Sequence, residues 1–189
     1  MYTQAFESAV EHLMLYEIGG FVDVTDPGFL DGTNPKACGY TNDPTDAGGE
    51  TKYGIAKNAN PSVDVTNLDW EGAKAVYAKK YWMAGHCDQL SGRVAALHFD
   101  GCVNNGLSGA GKFVQRAVGV YPDGAIGPGT LAEVNKMDPI DLCNAICDQR
   151  TKYYNDIVAA KPDQAKYLKG WLRRIDEMRT FTTDPNGNF

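Results

Sequence analysis

The sequence contains no run of about eighteen apolar residues, the length needed to cross a membrane as a helix, so no spanning segment is expected. Its opening, MYTQAFESAVEHLML, lacks the basic start and unbroken apolar centre of a secretory leader. The expectation is therefore a protein made in the cytoplasm, carried outward by something else if its target lies outside. Histidine is scarce: His12, His86 and His98 are scattered, with no His-x-x-x-His and no paired-cysteine motif. His86 and Cys87 adjoin each other, and adjacent helical residues do not share a face, so no metal or cofactor is expected. The five cysteines, Cys38, Cys87, Cys102, Cys143 and Cys147, are odd in number and irregular in spacing. That pattern excludes a disulfide framework and reads as reduced, mostly buried thiols. Neither a Gly-x-Ser-x-Gly elbow nor a phosphate-cradling loop is present, which argues against serine-hydrolase and nucleotide-dependent chemistry. Positive charge is also short: 18 Lys and Arg against 24 Asp and Glu leave a net charge of −6, unfavourable for a nucleic-acid partner.

What charge there is falls unevenly. Up to Thr51 the only Lys or Arg is Lys36, against nine acids. The stretch from Lys161 to Arg179 holds Lys161, Lys166, Lys169, Arg173, Arg174 and Arg179, either a solvated helix face or a contact for anionic wall polymers. The 189 residues suit one domain, or one domain with two lobes. Phe6, Val10, Leu13 and Met14 recur at helical spacing and predict a first helix from about Thr3 to Ile18, ended by Gly19-Gly20. Residues 21–54 are rich in Asp, Gly, Pro, Thr and Asn and predict tight turns, with a short strand at Thr51–Ile55. Helical periodicity resumes at Thr66, where Thr66 and Asp69 have capping-box spacing. It continues over about 92–104, 108–119, 139–159 and 163–181, with turns at 104–106 and 122–124. The predicted class is α+β, predominantly helical, with a small β-rich lobe near the N-terminus and room for a cleft between the parts.

Glu17 is the first candidate for chemistry. An ideal wheel continues the apolar stripe of the first helix onto it, at the last helical turn. Burial and the electronegative helix end both disfavour a carboxylate. The expectation is an acid still protonated near neutral pH, as a general acid for glycoside cleavage requires. A structural Glu reaching solvent or pairing with an Arg is the alternative. The second candidate is the segment TNDPTDAGGETKYGI, residues 41–55, which offers Asp43, Asp46, Glu50 and Thr51 on turns beside a strand. Asp46 could orient a water, with Thr51 hydrogen-bonding it. Alternatively, Asp43 and Asp46 close Asx turns on their own backbone.

The stretch NDPTDAGGETKYGIA resembles the signature of glycoside hydrolase family 108, the N-acetylmuramidase-type phage endolysins and their bacterial relatives. In that family a Glu-Gly-Gly-Tyr motif closes the first helix and supplies the catalytic Glu. Here Glu17 is followed by Ile18-Gly19-Gly20-Phe21, and Asn42, Asp43, Pro44, Asp46, Gly48, Gly49, Thr51, Tyr53, Gly54 and Ile55 match the block downstream. The likeness extends through Tyr77, Tyr81-Trp82, Phe99-Asp100, Asn104, Gly106, Gln115–Val120, Asp123-Gly124, Ile126–Pro128, Gly170-Trp171 and Arg174. It departs at one point: about eighteen residues, 22–39, separate the Glu motif from the Asn-Asp-Pro block, and Ala37-Cys38-Gly39-Tyr40 carries no Glu. Either an insertion splits the motif and Glu17 remains the acid, or the acid is lost; Glu50 is the runner-up acid. The helix argument favours the insertion. A surface excursion is expected for it, anchored through Phe29 and Leu30.

The resemblance implies a lysozyme-like peptidoglycan hydrolase that cleaves the β-1,4 bond between N-acetylmuramic acid and N-acetylglucosamine. Glu17, Asp46 and Thr51 would be catalytic and Asp43, Glu50, Tyr53 and Asn104 substrate-binding. Residues 1–94 would form the catalytic lobe. Residues 95–189 resemble a peptidoglycan-binding part, compact with the first lobe, in which Gln115–Leu131 has the look of a wall-binding repeat; alternatively these helices simply complete the fold of a lysozyme-like domain. The implied setting is a monomer in the cytoplasm of an infected host before lysis, released by a holin to act in the periplasm or wall; a virion-borne lysin and a bacterial enzyme fit the same chain. A non-catalytic wall-binding or virion structural protein is the alternative. Amidase or peptidase action would need a metal or nucleophile for which no motif is visible.

Overall fold

A computed structural model describes residues 2–19, 22–43, 45 and 47–189. Over these residues the protein is predominantly helical with one two-stranded antiparallel sheet, the α+β class expected. The chain groups into two compact units, residues 9–80 and residues 1–8 with 81–189.

Helix α1, Gln4–Met14, forms where the apolar stripe predicts it. Phe6, Val10, Leu13 and Met14 are all buried, each worth about 1.5–3 kcal/mol on removal from water. The helix does not stay α-helical to Ile18. It widens into a π-helical turn, Leu15–Gly19, and Glu17 within it is half-buried.

In the unit of residues 9–80, β1 (Thr51–Lys52) and β2 (Ile55–Ala56) pair with Thr51 opposite Ala56 and Lys52 opposite Ile55. Their connection is Tyr53-Gly54, both at positive φ (52° and 73°), the two-residue turn whose twist suits a hairpin. Thr41 extends the ladder by bridging to Thr51. Helix α3, Trp70–Tyr77, is capped by Asp69, which accepts from the Gly72 amide at 2.7 Å. Thr66 is not the cap; its hydroxyl donates to Glu50 at 2.7 Å.

Residues 22–39 run mostly over the surface, as expected, but they are not all loop. The Asp-Pro step that argued against helix starts one: Asp26 accepts from the Phe29 amide at 2.9 Å and caps α2, Pro27–Leu30. Proline suits the first helical position, where its missing N–H has no intrahelical partner to lose. Phe29 and Cys38 have no exposed surface. The Phe29 ring packs edge-on against Tyr53 at 5.3 Å and tilted against Trp70 at 5.0 Å. Leu30, expected beside it as an anchor, is 44% exposed. The segment therefore supplies core as well as surface. It also ends close to where α1 ends: a Cβ placed on Gly39 would lie 3.0 Å from the Ile18 side chain.

In the other unit, α4 (Gly92–Ala117), α6 (Pro139–Ala160) and α7 (Ala165–Thr183) pack on one another, joined by the short α5 (Pro128–Val134). The turn expected at 104–106 reduces to a break at Gly106 alone (φ 74°, ψ 160°), a conformation open to glycine. Asp100 on α4 binds the three helices together. It meets Arg150 of α6 at 2.7 Å and Arg174 of α7 at 2.7 and 2.9 Å. Burial alone would raise the Asp100 carboxyl, but the two guanidinium groups hold it below its ordinary value.

Candidate active site

The π turn decides where Glu17 sits. A Cβ added to Gly54 would lie 2.8 Å from the Glu17 Cβ and 3.1 Å from its Oε2. The hairpin turn thus rests directly against the Glu17 side chain, and only a residue without a Cβ permits that approach. The same point lies 2.8 Å from the Tyr77 hydroxyl, which donates to the Tyr53 carbonyl at 2.8 Å. Tyr53 in turn donates its amide to the Cys38 carbonyl at 2.8 Å and its hydroxyl to the Phe29 carbonyl. The end of the first helix, the hairpin and α3 therefore meet around Gly54.

The remaining candidates take different places. Thr51, half-buried on β1, donates its hydroxyl to the Gly49 carbonyl at 3.1 Å. Glu50 accepts from the Tyr40 hydroxyl at 3.0 Å and from Thr66, tying the loop to the start of the ladder. That hydrogen bond to Glu50 raises the Tyr40 phenol above its usual range. Asp43 is exposed and closes an Asx-type turn, accepting from the Thr45 amide at 2.8 Å and hydroxyl at 2.7 Å. These bonds lower its carboxyl. Tyr53 has no exposed surface and serves the core. Asn104, exposed on α4, donates to the Tyr154 hydroxyl at 2.8 Å. Asp46 lies outside the described residues.

The Gln115–Leu131 segment acquires a physical explanation. The buried Gln115 amide donates to Asp123 at 2.6 Å and to the Ala125 carbonyl at 2.9 Å, while its oxygen accepts from the Gly124 amide at 2.7 Å. One side chain, Gln115, thus satisfies the Asp123–Ala125 loop before α5.

Residues 33–106 match the model of the family described as glycosyl hydrolase 108. The resemblance to family 108 holds. Residues 109–176 match a second model, described as "Predicted Peptidoglycan domain". The family 108 match takes in Asp43, Glu50, Thr51, Tyr53 and Asn104 and begins downstream of Glu17. Among solved structures, one titled "Structure of Brucella abortus SagA" is similar at 27% identity and TM-score 0.67, covering 94% of this chain and 92% of that one. No curated protein matches the chain. The family 108 match makes a glycoside hydrolase the class of enzyme indicated.

Two arrangements are invisible to linear motif reading. One is the Tyr77 hydroxyl beside Glu17, since Tyr77 reads as one more core aromatic at helical spacing. The other is a side-chain cluster: Cys87, His98 and Cys102 come together, all buried. A hydrogen bond with the Cys87 thiol, helped by His98, holds the Cys102 thiol below its ordinary value, while burial pushes Cys87 up. Cys143 and Cys147 behave as plain core thiols, pushed up by burial to about 12 and about 11. All five cysteines are free.

Proposed function

We propose that the protein is a peptidoglycan hydrolase of muramidase type, cleaving the β-1,4 bond between N-acetylmuramic acid and N-acetylglucosamine, with Glu17 as general acid. The observation that carries this reading is the placement of Glu17 against Gly54. It joins the end of the first helix to the Tyr-Gly turn of the block that resembles family 108. The return of Gly39 to Ile18 supports the reading of residues 22–39 as an insertion that leaves the acid attached to its helix. In this role Glu17 protonates the departing glycosidic oxygen, while Asp46, aided by Thr51, serves the opposite face of the sugar. Asp43, Glu50 and Asn104 contribute polar contacts to the glycan around it. The catalytic part is residues 1–94, and residues 95–189 engage the wall, consistent with the peptidoglycan description of the second match. The protein acts as a monomer in the periplasm or wall after release from the cytoplasm, with a holin as the exporting partner.

A second reading has its own observation: the family 108 match begins at residue 33, after Glu17. A wall-binding protein without the acid would bind peptidoglycan and leave it intact. Turbidity of permeabilised cells separates the two. Clearing by the wild type and none by Glu17→Gln supports the hydrolase; binding to sacculi without clearing supports the second reading.

A further inference from the structure

We propose that Cys87, His98 and Cys102 form a binding site for a borderline-soft divalent cation of the zinc class. Cys87 begins a short 3-10 turn, Cys87–Gln89, presented by His86 in a left-handed conformation. His98 and Cys102 lie four apart on α4 and so share a face. The three donor atoms all lie within 4.8 Å of one another. The His98 Nε2 is 3.5 Å from the Cys102 sulfur and 2.9 Å from the Gly85 carbonyl. Tetrahedral zinc, with Zn–S of about 2.3 Å and Zn–N of about 2.0–2.1 Å, sets its donors roughly 3.3–3.8 Å apart. A contraction of about an ångström or less brings the three side chains to that geometry.

Three further observations favour a cation. The donors are almost without exposed surface, at 0%, 2% and 0% for Cys87, His98 and Cys102. Coordination through Nε2 would replace the hydrogen bond that this nitrogen makes with the Gly85 carbonyl at 2.9 Å. Two thiolates and a neutral imidazole carry a charge that a divalent cation cancels, so the buried cluster becomes neutral on binding. Sulfur and imidazole donors select zinc-like metals over calcium or magnesium.

A pocket of about 360 Å³ beside the cluster is lined by Gly85, His86, His98, Ser108 and Asp123 among others, with His98 the member of the triad that reaches it. Such a site would fasten the 85–89 turn to the middle of α4.

The test uses the full reduced chain, stripped with a chelator and then loaded with one metal at a time. Cobalt loading should produce the thiolate-to-metal charge transfer and intense visible bands of a tetrahedral, sulfur-ligated ion at one equivalent per chain. X-ray absorption of the zinc form should fit two sulfurs and the remainder nitrogen or oxygen. Cys87→Ser and Cys102→Ser should each abolish the sulfur-ligated signature, whereas a Cys143→Ser/Cys147→Ser variant should keep it. Should a cluster variant fail to fold, the wild-type cobalt and absorption spectra decide the matter alone. Absence of charge transfer, or a shell of nitrogen and oxygen only, would overturn the site.

Discussion

At the level of single residues, the account depends on Glu17 and what touches it. Glu17→Gln keeps the size of the side chain and removes its proton, so activity should fall at least about a hundredfold with an unchanged circular dichroism spectrum. Glu50→Gln retains an oxygen for Tyr40 and Thr66 to donate to; it should lose far less activity, and parity between the two variants would make Glu50 the acid. Gly54→Ala meets two penalties. Its φ of 73° costs an alanine roughly 1–2 kcal/mol, and its methyl would collide with Glu17 and Tyr77. Lower melting temperature together with reduced turnover is the expected outcome; full activity would show that the turn does not position Glu17. Glu17 was legible as a polar residue on an apolar stripe, but its contact with Gly54 was not, because a π turn resets the helical phase that a wheel assumes. Asp43 illustrates the opposite case: its Asx turn could be read from the Asp-Pro-Thr order, and the hydrogen bonds to Thr45 follow that reading.

At the level of elements, the segment before Tyr40 shows where composition misleads. Its Asp-Pro and Asn-Pro steps and glycines predict loop, and most of it is loop. Yet Asp26-Pro27 is also an N-cap followed by a first-turn proline, and the helix it starts delivers Phe29 to the aromatic core. Phe29→Ala should destabilise the protein by about 3–5 kcal/mol, the range for a buried aromatic, measurable as a loss in denaturant midpoint. Excising residues 22–38 should cost at least as much, although the ends of the segment lie close together. A truncated protein that melts like the wild type would return this segment to the status of a surface loop. Long helices were legible from periodicity over 139–159 and 163–181, because many turns repeat one pattern. The seven-residue α5 was not, since so short a helix repeats its pattern less than twice.

At the level of the whole molecule, a predominantly helical α+β class could be read from the order of turn-rich and periodic segments. Contacts between residues far apart in sequence could not. Asp100 with Arg150 and Arg174 is the clearest instance, three charges on three helices far apart in sequence. Because Asp100 titrates below the ordinary 3.8 in the folded protein, its ion pairs add stability that is complete well above that pH. That stability is lost as pH falls through the lowered folded value. Acid unfolding should therefore steepen below about pH 4, and Asp100→Asn, which removes the partner charge of the buried Arg150, should flatten this dependence while costing about 3–5 kcal/mol at neutral pH. An unchanged acid profile would remove Asp100 as its source. The central claim is hydrolysis of the glycan by Glu17, and reducing-end analysis of digested peptidoglycan tests it most directly. Wild-type protein should release new muramic-acid reducing ends and Glu17→Gln essentially none. New N-acetylglucosamine reducing ends, or muramic-acid ends released equally by the variant, would contradict the account.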